Sequence, residues 1–113
     1  MTGAEIKTMM DQVGIPTAYF AFDNDTAVPP PFLCFYFDDS DDLYADNTNY
    51  VRIRPLTIEM YTDTKDYALE EKLESVLNDN GLTYRKTAET YISSERMMMC
   101  VYETEVIYNA EES

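Results

Sequence analysis

Tyr61-Thr62-Asp63-Thr64-Lys65-Asp66-Tyr67-Ala68-Leu69-Glu70 changes the hydrophobic period of the chain within a single turn. Upstream of it, Leu56, Ile58 and Met60 alternate with Thr57, Glu59 and Tyr61, the period of a half-buried strand. Downstream, Leu69, Leu73, Val76 and Leu77 fall on one helical face. Asp63 to Asp66 supplies several candidate N-caps, and Asp66, Glu70 and Glu71 place negative charge in the first turns. Gly81 and Leu82 fit the C′ and C″ positions that close the helix.

The strand before this junction is predicted over Tyr50–Thr62, and its apolar parity flips. Val51, Ile53 and Pro55 are apolar at odd positions, with Arg52 and Arg54 between them. From Leu56 onward the even positions are apolar. One face cannot stay buried through such a flip without an extra residue, so a bulge is predicted at Pro55-Leu56, where proline cannot donate to a ladder.

Further out, Thr2-Gly3-Ala4-Glu5 reads as a capping box. Ile6, Met9, Met10 and Val13 continue it as one face of a helix of about 11 residues, ended by Gly14 and Pro16. Thr17–Phe22 is predicted as a short aromatic strand. A polar loop, Asp23 to Thr26, and the stiff Pro29-Pro30-Pro31 follow. Phe32–Phe37 is apolar throughout and too short for a helix, which predicts a strand inside a sheet and covered on both faces. Residues 38–49, rich in Asp, Asn and Ser, are expected to form a mobile acidic loop. Thr83–Ile92 is polar enough for an edge strand, Ser93 to Arg96 a hairpin connection. Met97–Tyr108 alternates, with Met98, Cys100, Tyr102, Val106 and Tyr108 on one side. Residues 109–113 form a polar tail.

The expected architecture is one α+β domain over residues 1–113, in the order α-β-β-β-α-β-β. Two amphipathic helices pack on one face of a mainly antiparallel sheet. With 45% apolar residues, the chain can build a core.

The net charge is −14, from 22 acidic and 8 basic residues. Such a chain repels free nucleic acid and anionic membrane, and associates with itself only where charge is locally neutralised. There is no His, which removes the commonest general base, metal ligand and partner of a Ser or Cys nucleophile. Cys34 and Cys100 lie in apolar runs and are expected to be buried free thiols. The acidic start Met1-Thr2-Gly3-Ala4-Glu5 is unlike a secretory leader, and no apolar run reaches a membrane span.

The acidic loop is the first candidate site. Asp38, Asp39, Asp41, Asp42 and Asp46 offer oxygen ligands for Ca²⁺ or Mg²⁺, but the EF-hand spacing is unmet, without its turn Gly or final bidentate Glu. A solvated loop is the expectation. No metal, cofactor or catalytic residue is predicted. Arg52, Arg54, Lys65, Arg85, Lys86 and Arg96 are too dispersed for a nucleic-acid footprint and better placed to pair with carboxylates. Met97-Met98-Met99 is read as core filling in a strand, with an adaptable contact surface as the alternative.

A resemblance runs from about residue 16 to 108. It is carried by Pro30-Pro31-Phe32, Tyr36-Phe37, Tyr44-Ala45-Asp46-Asn47, the run Ile58 to Asp66, Glu70-Glu71-Lys72-Leu73, Tyr91-Ile92 with Glu95, and Val101-Tyr102-Glu103. In order and spacing these resemble the small tail-terminator or head–tail joining proteins of phages and prophages. The resemblance implies a non-enzymatic virion subunit, made in the host bacterial cytoplasm and carried in the tail. It implies a ring of like subunits, typically a hexamer, between the tail tube and the head connector. DNA passes through such a ring unbound, and an acidic lumen suits that passage, with Asp38, Asp39, Asp41, Asp42 and Asp46 as candidate lumen or partner-facing residues. The charge also suits a reading from another class, an acidic DNA mimic that blocks a DNA-binding enzyme.

Overall fold

A computed structural model of the chain describes residues 1–22, 28–37 and 52–108, without the side chains of Arg52 and Tyr108. The predicted acidic loop and polar tail lie outside the described residues. So do Tyr50 and Val51 of the predicted third strand.

The element order is α1 (Gly3–Asp11), β1 (Thr17–Tyr19), β2 (Phe32–Phe37), β3 (Arg52–Thr62), α2 (Tyr67–Asp79), β4 (Tyr84–Ile92) and β5 (Met97–Tyr108). This is the predicted α+β order. The five strands form one sheet, ordered β1-β2-β3-β5-β4. Pairing is antiparallel except between β1 and β2, which run parallel.

The helix boundaries follow from their caps. Thr2 accepts from the Glu5 amide while Glu5 accepts from the Thr2 amide, the reciprocal pair of a capping box. Asp66 accepts from the Leu69 amide at 3.0 Å. At the far end of α2, Gly81 takes φ +78°, and the amides of Gly81 and Leu82 donate to Asn78 and Leu77. That double closure requires a left-handed residue, which glycine adopts without strain.

Cross-strand register sorts side chains into two faces. Leu33, Met60 and Cys100 share one row, and Phe35, Ile58 and Tyr102 the next. These rows meet Ile6, Met9, Met10 and Val13 of the α1 segment and Leu73, Val76 and Leu77 of α2 in one core. Both helices therefore cover the same face. Among the described residues no helix or strand covers the other.

Three local expectations are corrected. β3 pairs with β5 in unbroken register from Arg52 to Thr62, so there is no bulge at Pro55-Leu56. The parity flip has another cause. Ile53 lies opposite Ile107 on the uncovered face, both more than half exposed, while Arg54 turns to the helix side over the Phe37 ring at 4.2 Å. The bulge lies instead in β4, between Lys86 and Ala88. β1 ends at Tyr19 rather than Phe22, because Phe20 adopts φ +72°. Met97, Met98 and Met99 are all only half-buried and lie outside the core.

Candidate functional site

The uncovered face carries the most organised group of side chains. β2–β3 register places Phe32 opposite Tyr61, Cys34 opposite Glu59 and Tyr36 opposite Thr57, all on this face. The Tyr61 hydroxyl donates to Glu59 Oε1 at 2.7 Å, and the Tyr36 hydroxyl donates to Oε2 at 2.9 Å. Each carboxylate oxygen is held by one donor and keeps further acceptor capacity. Rings surround the group. Phe32 stacks on Tyr61 with centroids 4.8 Å apart, Phe22 meets Phe32 edge-on at 5.6 Å, and Phe20 lies 5.2 Å from Tyr36. Burial, then the hydrogen bond to Glu59, push the Tyr61 hydroxyl well above its ordinary range, so it remains a donor at neutral pH.

Phe20 stands out within this frame. It is 65% exposed, and it holds a left-handed φ that a bulky residue adopts only at a cost of about 1–3 kcal/mol. Its amide donates to the Phe35 carbonyl at 2.8 Å, which fixes the unusual backbone to the sheet.

A second group lies on the opposite side of the sheet, where the start of α2 crosses β4 and β5. Glu70 is 5% exposed and receives Lys86 Nζ at 2.7 Å and Lys65 Nζ at 3.0 Å. Lys65 also reaches Glu89 at 2.7 Å, and the Cys100 thiol donates to Glu70 at 3.5 Å. Burial pushes the Glu70 carboxyl up, but hydrogen bonds from Lys86 and Lys65 outweigh it and leave it below its ordinary range. Donor atoms of Glu70, Glu89 and Cys100 lie within 4.8 Å of one another, so among the described residues these three are the group that could take a metal. Two ammonium groups already sit on the two carboxylates and balance their charge. The arrangement is an ion-pair network tying α2 to the sheet.

Cys34 and Cys100 lie on opposite faces of the sheet, and both are buried and free. Burial, then the Glu70 charge, raises the Cys100 thiol to about 11; burial and then Glu59 raise Cys34. Neither is poised as a nucleophile. Thiol labelling of the native protein should therefore be slow at both, and fast once denaturant unfolds it. Prompt native labelling of both would contradict the burial.

Of the residues singled out from sequence, Asp38, Asp39, Asp41, Asp42 and Asp46 lie outside the described residues. Lys65, Lys86 and Arg85 pair with carboxylates as expected, Arg85 with Glu103 at 3.2 Å. Sequence reasoning missed the Glu59 frame. Its only signal was that Glu59 and Tyr61 share the polar parity of β3. The run Phe32–Phe37, expected to be covered on both faces, gave Tyr36 no side until the register placed it beside Glu59 on the uncovered face. No family model matches the chain, and no curated protein matches it.

Proposed function

We propose that the chain is a structural assembly subunit rather than an enzyme. The observation that carries this reading is a sheet face that no helix or strand covers among the described residues. Helices cover one face, and the other presents a hydrogen-bonded carboxylate framed by Phe20, Phe22, Phe32, Tyr36 and Tyr61. An aromatic surface of this kind is the usual mark of a protein–protein contact. The finer reading is a phage tail-terminator or head–tail joining subunit, assembled as a ring between tail tube and head connector. The residues that carry the resemblance support it, as does a charge of −14, which lets DNA pass a lumen without adhering.

Light scattering after gel filtration, with negative-stain imaging of the eluted species, tests it. The expected result is a concentration-dependent oligomer containing closed rings. A monomer at every concentration, with no rings, would overturn the reading.

Phe20→Gly gives a sharper version. It removes an exposed ring and relieves the left-handed backbone. The monomer should melt at an unchanged or higher temperature, while self-association weakens. A clear drop in melting temperature with unchanged association would make Phe20 a packing residue instead.

A further inference from the structure

The assembly surface has a charge at its centre, and that restricts what can sit on it. In a face-to-face pair of copies, the Glu59 carboxylate of one copy would approach that of the other inside an apolar contact. Like charges there are costly, and the chain already carries −14. Among the described residues no Lys or Arg pairs with Glu59. A partner surface must therefore bring the cation. A guanidinium fits best, because it stacks on aromatic rings and bonds carboxylates through a planar fork.

Among the described side chains, the chain itself presents one. Lys7, Lys65, Arg85 and Lys86 are held in ion pairs, and Arg54 lies over Phe37 on the helix side. Lys72 is exposed, but it is an ammonium carried by α2, on the helix side of the sheet, with its Nζ near Gly14. Arg96 differs. It is exposed in the turn between β4 and β5, with φ +55°, and forms no ion pair among the described residues. Met97 and Ile92, paired across the base of that hairpin, flank it with half-buried apolar surface.

Arg96 cannot serve its own Glu59. Glu59 pairs with Val101, and five strand residues at ~3.3 Å each separate that row from the turn by ~16 Å, beyond the span of an arginine side chain. The aromatic frame lies over β2 and β3, and the hairpin tip belongs to the β4–β5 end of the sheet. The two surfaces differ, so a contact between them runs head to tail, the kind that closes into a ring or extends as a filament.

We propose that the β4–β5 hairpin tip of one copy docks on the uncovered sheet face of the next, with Arg96 seated on Glu59 between Tyr36 and Tyr61. This rests on the reading of the chain as a self-assembling subunit and names its contact. The pair supplies the local neutralisation that such an acidic chain needs in order to meet itself.

Sedimentation velocity on the full chain tests it, using Glu59→Arg, Arg96→Glu and the double exchange. Each single variant should weaken self-association at least about tenfold, as expected for loss of a desolvated charge pair, and the double exchange should recover most of it. Glu59→Gln and Arg96→Gln guard against misfolding. Both should keep the wild-type circular dichroism spectrum and still weaken association. If the wild type associates but the exchange restores nothing, or both Gln variants associate normally, the contact is wrong while the assembly reading stands. A wild type that stays monomeric throughout removes both.

Discussion

Replacing Leu73 with alanine should lower the stability of the domain by about 2–5 kcal/mol. Leu73 is 0% exposed, at the centre of the α2 face that meets the sheet, in one core with Ile58, Met60 and Tyr102. The loss has two parts, the transfer free energy of the removed methyl groups and the cavity that the surrounding β-branched and aromatic side chains cannot fill. Leu69, one turn earlier, is only partly buried against the same core. Leu69→Ala should therefore cost less, because its site already meets water and can collapse. Urea denaturation of both variants measures the two losses. A Leu73→Ala loss below about 0.5 kcal/mol, or a larger loss at Leu69, would mean that the buried stripe of α2 is misplaced.

That both leucines lie on one inward stripe was readable in the sequence from the 3.6-residue period; that Leu69 is the less buried of the two was not. Both helix starts were readable, because Thr2 with Glu5, and Asp66, act on amides within one turn. The alternation in β5 was legible for the same reason: along its middle one residue in two, Cys100, Tyr102, Thr104 and Val106, is buried on the helix side. What failed were readings that depend on a partner strand. Ile53 looked like a core residue out of phase. It is instead one half of an apolar pair with Ile107 on the uncovered face, and nothing within β3 records that pairing. The bulge near Thr87 broke no pattern, since β4 is polar on both sides and has no phase to disturb. The parallel pairing of β1 with β2 left no trace in a strand as short as Thr17–Tyr19. The Glu59 frame joins residues from two strands and the segment after β1, so it exists only once the register is set. Local periodicity therefore specified the elements, and long-range pairing specified the surface they present.

The Glu70 network was likewise hidden, because it joins the turn before α2, the helix itself, β4 and β5. Glu70→Gln should destabilise the domain by about 1–3 kcal/mol at neutral pH. The variant keeps the shape and one acceptor, so the loss reports the charge that Lys86 and Lys65 require. The effect should depend on pH in a defined direction. The folded-state value of Glu70 lies below its unfolded value of about 4.3, so its contribution is complete above that value and fades as pH falls through the depressed one. Lys86 and Lys65 are raised by their hydrogen bonds to Glu70 and Glu89, so their share persists through neutral pH and fades only as strong alkali deprotonates them. Wild type and Glu70→Gln should consequently differ most between about pH 5 and 9 and converge in acid, where the wild-type carboxyl gains its proton and comes to resemble the amide. Denaturant titrations at pH 7, 5 and 3 separate the alternatives. A gap that stays constant across this range would assign the loss to packing around Glu70. No gap at pH 7 would mean that Glu89, already 2.7 Å from Lys65, takes over the pairing.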